Sequence, residues 1–126
     1  MNGNKLFLDT NIIVYFLEGD DTLAGFLNGR TIYISFITQL ELLSYRHITP
    51  DEEERIEQFL SQCIVTDINP AIKKETIRLR KHYRLKLPDS IVMATSLYHD
   101  LPLVTSDREF NKVEELQVIY YEKEDK

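Results

Sequence analysis

The apolar residues of this chain fall into short runs that are separated by longer polar segments of helical character. Five runs are rich in Leu, Ile, Val, Phe and Tyr and are bounded by polar or turn-forming residues, which is typical of strands. They cover residues 5–9, 31–36, 63–67, 103–105 and 118–121. The pattern therefore predicts five strands that are spread over the whole chain, the last of them at an edge of the sheet.

The segment after the first strand is predicted to be a helix. Thr10 and Asn11 offer helix-capping chemistry, the apolar run 12–17 follows them, and Gly19 closes the segment. Residues 12–14 are all β-branched, so one longer strand through this region is also possible. Hydrophobic periodicity cannot separate these alternatives in a fully apolar run.

Further helices are predicted from their start signals. Thr38 and Glu41 have the spacing of a capping box in front of an apolar stretch, which predicts a helix after the second strand. Thr49 followed by Pro50 predicts another helix, which ends near Gln62. The same kind of signal predicts a long helix that begins at residues 69–70 and a last helix that begins at residues 87–89.

The alternation of strands and helices predicts the fold class. Such chains are connected by right-handed crossovers, which produce a mostly parallel sheet with helices on both faces. We therefore expect an α/β fold, a three-layer sandwich around a mostly parallel central sheet. The length of 126 residues fits one domain, residues 1–126, in which residues 122–126 form a frayed tail. In such folds, ligands bind beyond the carboxyl ends of the strands.

The composition excludes several classes of protein. Hydrophobic residues make up 43% and charged residues 29% of the chain, with four Gly and four Pro, which does not fit long disorder, collagen-like repeats or a Gly-rich phosphate loop. Cys63 is the single cysteine, and the chain opens without a signal-peptide pattern, so we expect a cytoplasmic protein. Its longest apolar run, residues 12–17, is too short to cross a membrane.

Four acidic residues are predicted to lie at the carboxyl side of the sheet: Asp9, Glu41, Asp89 and Asp107, which we call the acidic quartet. Clustered carboxylates repel one another, and a bound divalent cation relieves that repulsion. Oxygen ligands without a Cys or His cluster suit Mg²⁺ or Mn²⁺ better than Zn²⁺. Each acid also has an alternative explanation as a helix cap, a capping-box member or a turn initiator, and spacing alone leaves both open.

Four segments that contain these acids resemble the motifs of PIN-domain proteins in order and separation: residues 8–11, 38–42, 88–95 and 103–110. The resemblance extends from Lys5 to about Tyr120, and the length is similar to that of the stand-alone VapC-type toxins. It implies an Mg²⁺- or Mn²⁺-dependent endoribonuclease that hydrolyses RNA phosphodiesters with a metal-activated water. It also implies a homodimer that a small cognate antitoxin of the VapB type neutralises, as in a type II toxin–antitoxin pair.

Matched position by position, the acidic quartet resembles the family's catalytic and metal-binding acids. Asn11 and Thr105 match the polar residues that support them, and Thr10 is a weaker candidate. Ser90 and Ser106 stand where the family frequently has an alanine and a basic or amide residue. These two departures leave the acids intact but make the substrate preference harder to infer.

One segment is strongly basic. The chain as a whole carries 15 Lys and Arg against 21 Asp and Glu, a net charge of −6, which opposes binding to a polyanion by bulk charge. Residues 73–86, in contrast, hold seven Lys and Arg against Glu75 alone. A solvated helix face explains this segment about as well as RNA contact does. The position of Arg84 and Lys86 just before Asp89 makes these two the candidate RNA-contact residues.

Three other functions are compatible with parts of the sequence. A phosphoryl-accepting receiver domain would use Asp67 after the third strand, but it also needs an acidic pair after the first strand and a lysine near residues 104–106, which are missing. A haloacid-dehalogenase-type phosphatase needs an Asp where Asn11 stands. The strongest alternative is a catalytically silent PIN-fold protein that acts only by binding. The RNA target is not encoded in any motif of the chain.

Overall fold

The computed structural model describes residues 4–123, and within them five strands form one parallel sheet. The strands are β1 (Lys5–Leu8), β2 (Thr31–Ser35), β3 (Ile64–Thr66), β4 (Leu103–Thr105) and β5 (Val118–Tyr120). They are ordered β3-β2-β1-β4-β5, and every neighbouring pair is parallel. The predicted α/β fold with a parallel central sheet is confirmed, and all five predicted strands are present.

Six α-helices connect the strands of the described region. They are α1 (Thr10–Leu17), α2 (Asp21–Leu27), α3 (Phe36–Leu43), α4 (Pro50–Ser61), α5 (Pro70–His82) and α6 (Leu87–His99). A short 3-10 helix, Arg108–Lys112, lies between β4 and β5. None of the helices in residues 4–123 has the length and apolar character needed to cross a bilayer.

The central strand β1 divides the core into two layers because successive side chains of a strand point to opposite faces. Leu6 and Leu8 pack into a cluster with buried residues of α1, α2, α3 and α4. Phe7 packs into the other cluster, with buried residues of α5 and α6 and with Phe110. All three β1 side chains are at most 2% exposed. The sheet is therefore covered on both faces, which gives the three-layer sandwich.

The start of the molecule differs from the predicted one in two respects. Residues 10–17 form the predicted helix and not one longer strand, but Asp9 rather than Asn11 occupies the N-cap position of α1. Helix α2 was not predicted from the sequence. Its start signal is present, since the Asp20 side chain accepts a hydrogen bond from Leu23 N at 3.0 Å.

Two later helices have other N-caps than the sequence suggests, although α6 begins within the predicted residues 87–89. Ser35 caps α3 by accepting from Ile37 N at 3.1 Å, so Thr38 and Glu41 lie inside the helix and form no capping box. Helix α6 begins at Leu87 without a side-chain cap, so the alternative of Asp89 as its N-cap is wrong. The predicted start of α4 at Thr49–Pro50 is confirmed. Of the predicted frayed tail, residues 124–126 lie outside the described residues.

Candidate functional site

The centre of the site is set by the pairing of β1 with β4. Leu8 is the register partner of Val104, so the residues that follow each strand emerge side by side at the carboxyl edge of the sheet. The backbone continues this pairing by one residue, since Asp9 N donates to Val104 O at 3.0 Å. Asp9 and Thr105 are neighbours in space for this reason, although most of the chain separates them in sequence.

Both carboxylate oxygens of Asp9 accept hydrogen bonds. Oδ1 accepts from Thr10 N at 2.8 Å, and Oδ2 accepts from Thr105 Oγ1, also at 2.8 Å. Thr105 is fully buried, and its Oγ1 in turn accepts from Asp107 N at 3.0 Å. One threonine hydroxyl therefore fixes the positions of two predicted site acids, which agrees with a supporting role for Thr105.

The pKa of Asp9 is raised from 3.8 to about 6. Burial is the largest cause, since the side chain is only 8% exposed, and repulsion from Asp89 and Asp107 adds to it. The hydrogen bonds from Thr105 and from the Thr10 backbone oppose these effects but do not cancel them. The neutral form of Asp9 is thus favoured up to an unusually high pH for an aspartate.

Asp89 is likewise repelled by neighbouring acids, namely Asp107, Glu41 and Glu109. Burial raises its pKa, Asp107 and Glu41 raise it further, and Lys86 lowers it. Asp9 therefore interacts electrostatically with Asp89 and Asp107, and Asp89 interacts with Asp107 and Glu41. All four members of the acidic quartet belong to one network of mutual repulsion, as expected for a group that a cation would stabilise.

Glu41 reaches this region from the second turn of α3. Its Oε1 accepts from Thr10 Oγ1 at 2.7 Å, and Thr10 Oγ1 lies 3.1 Å from Thr38 Oγ1. Thr10 therefore uses its backbone N–H on Asp9 and its hydroxyl on Glu41. This role of Thr10 in linking two acids was underestimated from the sequence. The contact joins residues 31 positions apart, so no local pattern could indicate it.

Asp107 and Asn11 have different surroundings. Asp107 caps the 3-10 helix, because its Oδ1 accepts from Glu109 N at 2.9 Å. The turn-initiator explanation and membership in the acidic network are therefore both true of this residue. Asn11 is exposed in the first turn of α1, and the structure does not place it in the hydrogen-bond network of Asp9, Thr105 and Asp107.

Two concave surfaces adjoin these acids. A cavity of about 480 Å³, which we call the acid-lined cavity, contains Asp89 and Asp107 together with the predicted RNA-contact residues Arg84 and Lys86. It is also lined by Arg80, Leu85 and Glu109. A second, largely apolar groove of about 410 Å³ between α1, α3 and α4 contains Thr10 and Glu41 at one end. Asp89 and Asp107 thus line a charged cavity, and Glu41 lines a largely apolar groove.

The donor set can be tested against the predicted metal. Within residues 4–123, no three His, Cys, Asp or Glu side chains are arranged so that they alone could hold a metal ion. Mg²⁺ keeps several waters and is usually bound by one or two carboxylates together with phosphate oxygens of a substrate. The carboxylates of the acidic quartet fit such a partly hydrated Mg²⁺ or Mn²⁺ ion in donor chemistry, and they do not form a closed protein cage.

Within the predicted basic segment, some cations form ion pairs and others do not. Arg78 pairs with Glu75 and, at 3.0 Å, with Glu115, so its charge is compensated. Arg84 and Lys86 form no ion pair within residues 4–123, and both line the acid-lined cavity. Arg80, which the sequence did not distinguish from its neighbours, lines this cavity as well. Helical periodicity could not predict that Arg80 and Arg84 line the same cavity, because Arg80 lies in α5 and Arg84 lies beyond its end.

Comparison with known proteins identifies the family of the chain. The family model of the PIN domain matches residues 6–116. A chain of a toxin–antitoxin complex from Klebsiella pneumoniae is 30% identical, with a TM-score of 0.81, and the match covers 94% of this chain and 99% of that one. VapBC2 from Rickettsia felis, bound to a DNA fragment from their promoter, is 22% identical over 94% of this chain and 99% of that one, with a TM-score of 0.84.

A third solved structure extends the same picture. DNA-bound VapBC from Salmonella typhimurium is 22% identical over 92% of this chain and 97% of that one, with a TM-score of 0.76. None of the curated protein sequences compared with this chain matches it significantly. The family model spans most of the chain and includes all four acids of the quartet. The chain therefore belongs to the PIN-domain family.

Proposed function

We propose that this protein is an Mg²⁺- or Mn²⁺-dependent endoribonuclease and the toxin component of a type II toxin–antitoxin pair. Membership in the PIN-domain family, a family of nucleases, supports the general activity. The observation that carries the proposal is the buried carboxylate of Asp9, which Thr105 joins to Asp107 and which Asp89 repels. Such mutual repulsion is costly in the free protein and favours a bound cation.

The acids, the threonines and the cations of the site would have different roles. Carboxylates of the acidic quartet, Asp9, Glu41, Asp89 and Asp107, would bind a partly hydrated metal ion together with phosphate oxygens of the RNA, because no three of the described acids can hold the ion alone. Thr105 and Thr10 would fix the positions of Asp9, Asp107 and Glu41. A divalent cation bound there supplies a water of lowered pKa and neutralises charge on the phosphodiester. Arg84 and Lys86 would bind phosphate oxygens of the RNA in the acid-lined cavity, where they offset the negative charge of the acids.

The proposed partners are an RNA substrate, a small VapB-type antitoxin and a second copy of the chain in a homodimer, all in the cytoplasm. The antitoxin is supported by the solved structures, because several of the similar chains were found in toxin–antitoxin complexes. The homodimer, the RNA substrate and the cytoplasmic location are supported by the resemblance to VapC-type toxins.

The first experiment is a calorimetric Mn²⁺ titration of antitoxin-free protein, followed by RNA cleavage assays with Mn²⁺ and with excess EDTA. Wild type is compared with Asp9→Asn and Asp107→Asn, and with Asp67→Asn as the control, because Asp67 is exposed and follows β3 rather than β1. We expect the first two variants to lose metal binding and cleavage and the control to retain both. Metal binding without cleavage of any RNA would favour the catalytically silent alternative, and loss of binding only in Asp67→Asn would contradict the proposed site.

A further inference from the structure

A second charged cavity lies next to the acid-lined cavity, at the end of α5 and the residues that follow it. This cavity, which we call the basic cavity, has a volume of about 640 Å³. It is lined by Ile77, Arg80, Lys81, His82, Tyr83, Arg84 and Leu85. Arg80 and Arg84 line both cavities, so the two side chains lie between them.

The basic cavity differs from the acid-lined cavity in its charge. Asp89, Asp107 and Glu109 line the acid-lined cavity, whereas none of the described residues that line the basic cavity is Asp or Glu. Lys81 lines the basic cavity and not the acid-lined cavity, whereas Arg80 and Arg84 lie between the basic cavity and the carboxylates of the acid-lined cavity. This charge distribution suits an anion, and the described lining offers no carboxylate ligand for a metal ion.

The cations of the basic cavity are also unpaired, although the chain as a whole has an excess of acids. Elsewhere in the described region Arg78, Lys112 and Lys123 each pair with a glutamate. Arg80, Lys81 and Arg84 take part in no ion pair within residues 4–123, and all three are exposed. In a chain with a net charge of −6, three adjacent unpaired cations indicate a surface kept free for an anionic ligand.

The dipole of α5 does not account for the whole cluster. Cations in the last turn of a helix are stabilised by the partial negative charge of its C-terminus, which explains Arg80 and Lys81. Arg84, however, lies beyond the last helical residue, His82. Arg80 also bridges the helix to the following segment, because its Nε donates to Leu85 O at 3.3 Å, and this bond leaves its terminal amino groups available.

The lining of the basic cavity has apolar surface as well as charge. Ile77 is 56% exposed there, and the ring of His82 packs edge-on against Tyr83 with centroids 4.8 Å apart. Proteins that bind single-stranded nucleic acids combine cations along the backbone with flat or apolar side chains that contact bases. A single strand of RNA satisfies both properties of the cavity, whereas a free inorganic anion would use only the charge.

We propose that the basic cavity binds a neighbouring phosphate of the RNA strand whose scissile phosphate lies at the acidic quartet. Arg80 and Arg84 contact the strand where it passes from the acid-lined cavity to the basic cavity, and Lys81 binds the phosphate inside the basic cavity. This inference rests on the proposed function, since it assigns a path to the same substrate. It predicts that binding weakens when the RNA is shortened on the side of the scissile bond that reaches the basic cavity.

The test measures binding of a fluorescently labelled single-stranded RNA of mixed sequence by anisotropy, in excess EDTA so that no cleavage occurs. The variant is Arg80→Gln/Lys81→Gln, and the matched control is Lys73→Gln/Lys74→Gln, which removes the same charge from the same helix but lines neither cavity. We expect the variant to weaken binding by about tenfold or more and to reduce the salt dependence by about one to two phosphate contacts. The control is expected to change affinity less than about twofold.

The outcomes separate this inference from the proposed function. Equal weakening by both double variants would mean that bulk charge is responsible, and unchanged affinity in Arg80→Gln/Lys81→Gln would remove the RNA strand from the basic cavity. In either case, cleavage of RNA by wild type with Mn²⁺ would leave the proposed function standing. A wild-type protein that neither binds nor cleaves RNA would overturn both. Circular dichroism of each variant verifies that the exposed substitutions leave the fold intact.

Discussion

Replacement of Asp9 by asparagine is expected to stabilise the free protein at neutral pH, although it removes a residue of the candidate site. Burial, together with repulsion from Asp89 and Asp107, raises the pKa of Asp9 from 3.8 to about 6. The folded chain therefore binds the Asp9 proton more tightly than the unfolded chain does. The stabilisation that comes from this tighter proton binding is complete below pH 3.8, and it is lost progressively as the pH rises from 3.8 through about 6.

The size of the effect follows from the two pKa values. A difference of one unit between the pKa values of a group in the folded and unfolded chain changes the free energy of unfolding by about 1.36 kcal/mol. The rise of the Asp9 pKa from 3.8 to about 6 thus corresponds to a loss of ~3 kcal/mol above neutral pH, of which about half is already lost at pH 5.

Asparagine has no charge to lose, and it preserves the local geometry. Its Oδ1 can accept from Thr10 N as Asp9 Oδ1 does. Its Nδ2 can donate to Thr105 Oγ1, whose hydroxyl then turns to accept. The expected gain of up to ~3 kcal/mol at pH 8 corresponds to an increase in Tm of roughly 10 °C for a chain of this size.

Urea unfolding of metal-free protein at pH 5 and pH 8 measures this gain. The control is Asp67→Asn, because Asp67 Oδ1 accepts from the next backbone N–H at 2.8 Å just as Asp9 does, but its side chain is exposed. We expect the gain for Asp9→Asn at pH 5 to be about half of that at pH 8. Asp67→Asn measures the effect of the same substitution at an exposed position. A variant at Asp9 that is no more stable than wild type at pH 8, or a gain that is equal at both values, would refute the reasoning.

Three further predictions concern other parts of the molecule. Thr105→Val should destabilise the protein by about 2 kcal/mol in urea unfolding, because Asp9 loses a donor and the half-buried N–H of Asp107 loses its acceptor; Thr105→Ser should restore most of the loss. Thr49→Ala should cost about 1 kcal/mol in the same assay by removing the N-cap of α4, and an unchanged Thr49→Ser would identify the hydroxyl as the cause. Burial raises the pKa of Cys63 to about 11, so iodoacetamide should modify it slowly at pH 8 in the native protein and rapidly in urea; equal rates would contradict the burial.

The elements that the sequence predicted correctly are those whose signals are local. The strands β1 and β4 are buried on both faces, so they appear as continuous apolar runs, which few other structures produce. The start of α4 is encoded in four consecutive residues, because Thr49 and Glu52 cap each other. The convergence of the acids followed from the topology, since the carboxyl ends of parallel strands share one edge of the sheet.

The elements that were missed depend on competition between signals or on distant contacts. Helix α2 has seven residues and two buried apolar side chains, Leu23 and Leu27, which is too short a stripe to show a helical period. The capping-box spacing of Thr38 and Glu41 arises inside α3, where Ser35 had already capped the helix. The same spacing of Thr and Glu occurs at the start of a helix and inside one, so the spacing alone does not show where the helix begins.

The electrostatic details of the site could not be predicted either, for the same reason. Arg78 is compensated by Glu115, which lies 37 positions further along the chain, while the other cations of α5 form no ion pair with any residue of the region 4–123. The hydroxyl of Thr10 meets Glu41 across 31 positions. Which charges remain available for a ligand is therefore decided by tertiary contacts and not by the charge pattern along α5.

The pairing of β1 with β4 also has a consequence for the order in which the protein becomes able to act. Thr105 and Asp9 are 96 positions apart, and all six helices are synthesised between them. At a synthesis rate of ~5–20 residues per second, roughly 5–20 s pass on the ribosome between the two residues. Throughout that time one edge of β1 has no strand beside it, Asp9 lacks its hydroxyl donor, and Asp107 does not yet exist. A nascent chain therefore cannot assemble the site until Thr105 and Asp107 have both been synthesised.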